Sequence, residues 1–363
     1  MSSNMSSKLK VGVIGLGMGR YHIEGYQSHP EAEVVAIADL NEVRLNEVGE
    51  QFGISGRYTS SEQMLEDEDL DIVSVATPNK FHKQHVMAAL EAGSHVLCEK
   101  PMAMNAQEAR EMLQAAEEAN KRIMINFSYR FTEQSMALKE QVDAGLLGDI
   151  YFARTIWHRR RGVPGLSQWG VRKGLYRFGS WFIQKAISGG GPLIDLGVHR
   201  LDLALWLMGY PKPTWVMGST YDPIGSAWAE QLDAKFDVED LAAGFIKFEN
   251  GATLALEASW AANIQETELM ETRLLGTKAG LVQRNIDETY KFEAEMYLEL
   301  NGSHFDMKLH PPTKPVMRAM YYFVDSILNN TPHPATGEEG VMVMEILDAI
   351  YESARTGQPV KIA

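Results

Sequence analysis

The sequence predicts an α/β protein of two domains: a doubly wound parallel-sheet domain over residues 1–130, and an α+β domain with a large, mostly antiparallel open sheet over residues 131–363. Three observations lead to this prediction. Short apolar runs alternate with helical stretches through the first 130 residues, whereas longer runs joined by hairpin turns follow. A chain of 363 residues is also too long for one ordinary hydrophobic core.

The first predicted element is a buried strand at Lys10–Gly15, which runs directly into a glycine turn and then into a helix from about Arg20. Gly15, Gly17 and Gly19 let the backbone bend tightly and approach a pyrophosphate, whose charge is stabilised by the free amides of the helix N-terminus. Strand, glycine turn and helix in this order predict a Rossmann dinucleotide-binding domain. The third glycine comes one residue earlier than in the usual motif, which leaves the local phosphate contacts open.

The second predicted strand, Val34–Asp39, ends in a carboxylate. An acidic group at this point accepts hydrogen bonds from the adenosine ribose and repels a 2′-phosphate, so we expect NAD rather than NADP as the cofactor. Leu40 and Asn41 follow, so no arginine is adjacent, but Arg44 is near enough to keep NADP open. The alternative interpretation is that Asp39 only caps the next helix.

Two further strands, Asp71–Ala76 and Ser94–Cys98, carry the polar segments Thr77-Pro78-Asn79 and Glu99-Lys100-Pro101 at their carboxyl ends. Open α/β sheets bind their ligands at that edge, so we expect both segments to line the cofactor site. The remaining elements predicted for this domain are helices at Phe81–Glu91 and Ala106–Asn120 and a short strand at Ile123–Asn126.

After Tyr129 the pattern predicts a mostly antiparallel sheet with helices on one face. Asn250-Gly251 lies between two alternating runs and is a strong hairpin signal, and Gly276 marks a second hairpin. The other face of such a sheet needs cover, so we expect a homodimer or homotetramer formed through it. The predicted elements are a helix at Glu133–Ala144 and strands at Ile150–Trp157, Trp215–Tyr221, Ala242–Phe248, Thr253–Ser259, Thr272–Leu275, Gly280–Gln283 and Lys291–Leu300.

Composition narrows the class of partner. The net charge of −14 argues against a nucleic-acid partner, because phosphate backbones favour a basic surface. No apolar run approaches the ~18 residues that would span a bilayer, so we expect no membrane partner. The single cysteine, Cys98, rules out an internal disulfide framework and suits a reducing compartment, so we expect a cytoplasmic protein.

The segment from Ser188 to Gly209 holds the strongest candidates for chemistry. A helix is predicted from about Pro192 to Met208, which places Asp195 and His199 one turn apart on one face. Histidine can take the proton of a hydroxyl while the carbon loses a hydride, and a carboxylate one turn away can orient it. A lysine such as Lys100 can stabilise negative charge on the reacting oxygen.

Taken in order, Gly15-x-Gly17, Asp39, Thr77-Pro78-Asn79, Glu99-Lys100-Pro101 and the glycine run leading to Asp195-x-x-x-His199 and Trp206-Leu207 resemble the glucose–fructose oxidoreductase, inositol dehydrogenase and MocA family. The resemblance runs from about Lys10 to a C-terminal helix near Val341–Arg355. It implies an NAD(P)-dependent oxidoreductase of sugars or polyols, with Lys100, Asp195 and His199 as catalytic residues and a cis bond before Pro101.

The resemblance and the motifs together give the expected contacts. The expected cofactor-binding residues are Gly15, Gly17, Met18, Gly19, Asp39, Leu40, Thr77, Asn79, His82, Glu99 and Lys100. The expected substrate-binding residues are Lys100, Arg130, His158, Arg160, Asp195 and His199.

Several residues keep two interpretations. The run Arg159-Arg160-Arg161 is either a solvated strand end or a clamp for an anionic sugar substituent, since guanidinium forks suit such groups. The aromatic residues Trp157, Trp169 and Trp181 either cover a sugar face or close a loop. His82 and His85 lie three apart on a helix, but no third ligand is evident, so we expect no metal site.

These observations predict an NAD-dependent sugar or polyol dehydrogenase in which His199 is the base, Asp195 orients it and Lys100 polarises the hydroxyl oxygen. One alternative is a glycoside-cleaving enzyme that forms a transient 3-keto sugar, eliminates the aglycone and recycles NADH. A second alternative is a non-catalytic sensor that binds the dinucleotide.

Overall fold

The computed structural model describes residues 8–166, 180–312 and 314–362, and the chain divides into two compact units. The first unit comprises Met1–Phe127 and Met317–Val341, and the second comprises Ser128–Val316 and Met342–Ala363. The sequence predicted one boundary near residue 130. The structure differs in that residues 317–341 return to the first unit.

The first unit is built on a parallel sheet, as predicted. Within its described residues, six strands lie in the order β3-β2-β1-β4-β5-β6, and every neighbouring pair is parallel. The strand order reverses between β1 and β4, the kind of position at which doubly wound sheets bind ligands. The strands are β1 (Leu9–Ile14), β2 (Ala32–Ala38), β3 (Gly56–Tyr58), β4 (Ile72–Val75), β5 (His95–Cys98) and β6 (Ile123–Ile125). The helices are α1 (Gly19–Gln27), α2 (Glu42–Phe52), α3 (Ser61–Asp67), α4 (His82–Glu91) and α5 (Ala106–Glu118).

The second unit is built on a larger sheet, whose described strands lie in the order β14-β13-β12-β11-β7-β10-β9-β8-β15. Among these strands only β7 and β10 pair in parallel, so the predicted antiparallel sheet is confirmed. The strands are β7 (Ile150–Arg159), β8 (Pro213–Tyr221), β9 (Leu241–Phe248), β10 (Thr253–Ser259), β11 (Glu268–Gly276), β12 (Ala279–Asn285), β13 (Phe292–Leu300), β14 (Ser303–Lys308) and β15 (Val360–Lys361). The helices among the described residues of this unit before residue 316 are α6 (Glu133–Asp143), α7 (Lys185–Ser188), α8 (Val198–Met208) and α9 (Pro223–Gln231).

Two helices complete the fold: α10 (Ala319–Leu328) and α11 (Gly337–Thr356). Helix α10 packs against α1 at Gly25, where an added Cβ would lie 2.8 Å from Met320 Sδ. Arg318 forms an ion pair with Glu24 of α1 at 2.7 Å. These contacts explain why residues 317–341 belong to the first unit, since without them the buried side of α1 would lose its cover.

The face of the large sheet that carries Trp215, Met217 and Phe245 is exposed. These three side chains point to the same side of β8 and β9 and are 46%, 43% and 51% exposed. On the same face, further along the sheet, Arg154 pairs with Glu257 at 2.7 Å. This face of the sheet therefore carries apolar side chains at β8 and β9 and charged side chains at β7 and β10. No helix among the described residues is long and apolar enough to cross a membrane.

Candidate active site

The glycine turn after β1 has the geometry that the motif requires. Gly15 has φ +86°, and an added Cβ would lie 2.6 Å from the Ala76 carbonyl oxygen, so only glycine fits there. At Gly19 a Cβ would lie 3.0 Å from Val13 Cγ1, so this glycine allows close packing of helix and strand, although it comes one residue early. Gly17 faces open space, where only Arg44 Nη1 lies within 4.0 Å. The turn therefore leaves room for a phosphate before the N-terminus of α1.

Asp39 holds the glycine turn as well as marking the end of β2. Its Oδ2 accepts a hydrogen bond from the Leu16 amide and its Oδ1 accepts one from the Asn41 amide, both at 2.8 Å. The N-cap of α2 is Asn41, so the interpretation of Asp39 as a helix cap is wrong. Arg44 Nε lies 3.4 Å from Asp39 Oδ2, which places a cation beside the carboxylate.

His82 joins the two polar loops at the sheet edge. Its Nδ1 lies 2.8 Å from the Pro101 carbonyl oxygen, and its Nε2 lies 2.8 Å from that of Thr77. Burial lowers the pKa of His82, and the side chain is 0% exposed. We therefore correct the expectation that His82 contacts the cofactor: it ties the Thr77 and Pro101 loops together. The Lys100–Pro101 peptide bond is cis, as the resemblance implied.

A buried polar network lies directly beneath Lys100. The Glu99 carboxylate lies 2.8 Å from His22 Nε2 and accepts a hydrogen bond from Asn126 Nδ2 at 2.6 Å. The other nitrogen of His22 lies 2.6 Å from Ser74 Oγ. Burial opposes ionisation of Glu99, but the hydrogen bonds from His22 and Asn126 hold its pKa below the usual value. Glu99 Oε2 also accepts the Lys100 amide at 3.1 Å, so the network fixes the backbone of that residue.

This network was not predicted from the sequence. His22 and Asn126 are 104 positions apart, and neither belongs to a local motif. The available signal was a histidine on the apolar face of α1, where burial demands a hydrogen-bond partner.

The helix that carries Asp195 and His199 begins with a π-helical turn at Leu193–Gly197 and continues as α8. The predicted helix is therefore confirmed, with an unpredicted first turn. Glu239 stabilises the start of this turn, because its carboxylate accepts hydrogen bonds from the amides of Gly191 and Leu193, each at 3.0 Å. π-Turns of this kind occur often at functional sites.

Aromatic side chains surround Asp195 and His199. Trp260 donates its indole N–H to Asp195 Oδ2 at 3.1 Å. The ring of His199 lies 4.9 Å from that of Tyr129 and 5.8 Å from that of Trp157, and the side chain is nearly buried. Both candidate residues thus lie among aromatic side chains, where charges interact more strongly than in water. These residues belong to the second unit, and Lys100 belongs to the first.

The three consecutive arginines separate in the structure. Arg159 Nε donates to Glu268 Oε1 at 2.9 Å, whereas Arg160 Nη1 donates to the Gln265 carbonyl oxygen at 3.3 Å. Arg161 donates to Asn263 Oδ1 at 2.6 Å. Arg160 and Arg161 are exposed, so the expectation that Arg160 binds substrate stays a prediction without a supporting contact.

Two expected substrate residues lie elsewhere. Arg130 is buried in an ion pair with Asp202 and donates to the Tyr210 hydroxyl at 2.6 Å, which favours a structural role. His158 lies on the opposite face of β7 from Trp157, since neighbours along a strand alternate, and its Nε2 is 3.5 Å from Glu257. We therefore remove His158 from the candidate site, because Trp157 is the residue that faces His199.

Three further residues singled out in the sequence are Trp181, Trp169 and His85. Trp181 stacks on Phe182 at 3.9 Å, and Trp169 lies outside the described residues. His85 lies 3.2 Å from Ser61 Oγ. Residues 8–166, 180–312 and 314–362 contain no group of three His, Cys, Asp or Glu side chains arranged to hold a metal ion.

Comparison with known proteins identifies the family of both parts of the chain. Residues 9–127 match the model of the Gfo/Idh/MocA oxidoreductase family, NAD-binding Rossmann fold, and residues 139–362 match the C-terminal alpha/beta domain of that family. The chain is 34% identical over 370 residues to D-glucoside 3-dehydrogenase of Escherichia coli (strain K12), with 99% of each chain covered. It is 25% identical over 355 residues to myo-inositol 2-dehydrogenase of Thermotoga maritima, with 98% of each covered.

A solved structure shows the same fold over nearly the whole chain. A crystal structure of aldose-aldose oxidoreductase from Caulobacter crescentus in complex with glycerol superposes with a TM-score of 0.80 at 26% identity, covering 98% of this chain and 100% of the other. Both domain matches and the full-length relatives therefore lead to one conclusion: the chain belongs to the Gfo/Idh/MocA family of oxidoreductases with an NAD-binding Rossmann domain.

Proposed function

We propose that this protein is an NAD-dependent dehydrogenase that oxidises a secondary hydroxyl of a sugar, with the C3 hydroxyl of a D-glucoside as the first candidate. The observation that carries the proposal is the full-length similarity to a D-glucoside 3-dehydrogenase in a chain that has Asp195 and His199 on one helix among aromatic rings. Indole and phenol rings suit the apolar face of a sugar ring.

The residues of the glycine turn fit a dinucleotide. Gly15 and Gly19 keep the backbone compact, and the open space at Gly17 suits a pyrophosphate at the N-terminus of α1. Asp39, at the end of β2, suits the ribose hydroxyls of NAD and disfavours the 2′-phosphate of NADP. When bound there, NAD supplies the hydride acceptor.

In the proposed reaction His199 is the base that removes the proton of the substrate hydroxyl. Asp195 orients the imidazole and stabilises its positive charge, as a carboxylate does for a catalytic histidine. Lys100 keeps the role that its motif predicts, which is to stabilise negative charge on the reacting oxygen. The network through Glu99 and His22 supports this role of Lys100, because it fixes the lysine backbone.

We also propose that the enzyme is a cytoplasmic homo-oligomer assembled through the large sheet. The exposed rings of Trp215 and Phe245 support this proposal, because exposed apolar patches of this kind usually mark an interface. The charged half of the face would set the register of the two subunits.

A turnover assay tests the proposed function. Purified protein is mixed with a panel of glucosides, free sugars and inositols, and NAD and NADP reduction is followed by absorbance. We expect NADH formation with at least one glucoside, and a fall in kcat of roughly 10²-fold or more for Lys100→Met and for His199→Asn. The exposed Lys278, changed to Met, is the matched control and should keep parental kcat.

Three outcomes would contradict the proposal. Normal turnover by Lys100→Met would contradict the mechanism in which Lys100 stabilises negative charge on the reacting oxygen. Release of an aglycone without net NADH would favour the route through a transient 3-keto sugar. Binding of NAD without turnover of any sugar would favour a sensor.

A further inference from the structure

Arg159 differs from its two neighbours in being held on the Trp157 face of the sheet. Its Nε donates to Glu268 Oε1 at 2.9 Å, and its Nη2 donates to the Tyr290 hydroxyl at 2.9 Å. Its guanidinium carbon lies 5.5 Å from the ring of Trp157, the same ring that faces His199. Arg159 is therefore fixed close to the proposed catalytic residues.

Glu268 is the centre of this arrangement. Its Oε1 accepts hydrogen bonds from Trp157 Nε1 at 2.7 Å and from the Tyr290 hydroxyl at 3.0 Å, in addition to the one from Arg159. Glu268 and Arg159 face each other directly across the β7–β11 pair, so backbone register sets their contact. The guanidinium thus reaches the site with its charge already matched by a carboxylate.

The numbers of positive and negative side chains among the described residues of the site decide whether Arg159 can recognise an anionic group. Burial works against the charged form of Arg159, but the carboxylates of Asp195 and Glu268 raise its pKa. Within the second unit a second cation lies against the Trp157 ring, the Arg200 guanidinium at 5.3 Å. The described cations there are therefore Arg159 and Arg200 and the carboxylates are Asp195 and Glu268, so positive and negative charges are two and two. A clamp for a sugar carboxylate or phosphate needs an excess of positive charge, and these residues supply none.

We propose that Arg159 is a specificity-determining residue that donates hydrogen bonds to hydroxyls of an uncharged sugar, and that the Arg159–Glu268 pair disfavours sugars bearing a carboxylate or phosphate. Arg159 uses Nε for its hydrogen bond to Glu268 and Nη2 for the one to Tyr290. Among the described residues, its Nη1 is therefore the nitrogen placed to donate a hydrogen bond to a sugar oxygen. A paired guanidinium and carboxylate offer donors and acceptors side by side, which suits neighbouring hydroxyls. This inference rests on the proposed sugar oxidation at Asp195 and His199.

Calorimetric titration of the NADH-loaded protein with methyl β-D-glucoside and methyl β-D-glucuronide tests the inference. The two probes differ only at C6, where the second carries a carboxylate. We expect the parental protein to bind the glucoside at least tenfold more tightly. Arg159→Gln should weaken glucoside binding roughly tenfold, the loss expected for one charged hydrogen bond. Arg161→Gln, two residues along the chain and exposed, should bind the glucoside like the parent.

Glu268→Gln gives a second, independent test. The amide oxygen still accepts from Trp157 and Arg159, so the fold is preserved, but Arg159 loses its matching charge. We expect the preference for glucoside over glucuronide to fall roughly tenfold.

The outcomes separate the inference from the proposed function. Selective binding of the glucoside without its oxidation supports the inference and counts against the proposed function. Equal or tighter binding of the glucuronide, unchanged glucoside binding in Arg159→Gln, or no binding of either probe overturns the inference.

Discussion

Replacement of Arg130 by methionine decides between a substrate role and a structural one. The side chains of Arg130 and Asp202 are each 1% exposed, and the hydrogen bonds between them include Nε to Oδ2 at 2.9 Å, Nε to Oδ1 at 3.2 Å and Nη2 to Oδ1 at 2.5 Å. Arg130→Met leaves the Asp202 carboxylate buried without its cation, which costs about 3–5 kcal/mol of unfolding free energy. With a urea m-value of ~3 kcal/mol/M, the unfolding midpoint should fall by roughly 1–1.7 M.

The assay is urea unfolding followed by intrinsic fluorescence, together with KM for the sugar measured without denaturant. The double variant Arg130→Met/Asp202→Leu should recover most of the loss, since no uncompensated charge stays buried. A midpoint within ~0.3 M of the parent, together with a tenfold rise in KM, would refute the reasoning and return Arg130 to the substrate site.

Three further predictions follow from described geometry. Asp39→Ser removes the carboxylate that disfavours a 2′-phosphate, so the ratio of kcat/KM for NADP over NAD should rise at least tenfold in the turnover assay; an unchanged ratio would contradict the role of Asp39. Gly15→Ala places a Cβ 2.6 Å from the Ala76 carbonyl oxygen at φ +86°, so it should lower stability by about 2–4 kcal/mol and abolish NAD binding by calorimetry; retained NAD affinity would argue against the tight turn. Burial lowers the pKa of His95 to about 4, below its ordinary value of 6.5, and its Nδ1 accepts the Arg122 amide. As pH falls, His95 therefore takes up a proton in the unfolded chain before it does so in the folded protein, and the free energy of unfolding should decrease from about pH 6.5 to pH 4. In thermal unfolding, His95→Gln should make the melting temperature depend less on pH over this range. The same pH dependence in the variant and the parent would contradict the role of His95.

Local patterns predicted most of the fold. Apolar runs of four to six residues that end in glycine or a polar triplet predicted the parallel strands of the first unit other than β3, and Asn250-Gly251 predicted the hairpin between β9 and β10. Strand β14 was missed because all six of its residues are exposed, so it carries no buried face to produce a period. Helix α10 was missed as a part of the first unit because its partner, α1, lies about 300 residues earlier.

The candidate site was predicted only in part. Short motifs predicted Lys100, Asp195 and His199, because each of these residues lies within a few positions of the other members of its motif. His22 and Glu239 did not, because each acts on a residue far along the chain: His22 on Glu99, and Glu239 on the amide of Gly191. Patterns within a short window carry no record of such pairings. His158 was expected at the substrate because the sequence does not show which face of a strand meets its helices; that depends on packing.

The return of residues 317–341 to the first unit has a consequence for biosynthesis. Ribosomes add about 5–20 residues per second, and domains made first usually fold first. Here about 190 residues separate Phe127 from Met317, so the nascent N-terminal sheet waits roughly 10–40 s before α10 emerges to cover α1. During that interval the surface of α1 at Gly25 is open to chaperones, and a gene fragment that stops at residue 130 would encode a Rossmann sheet without helix α10.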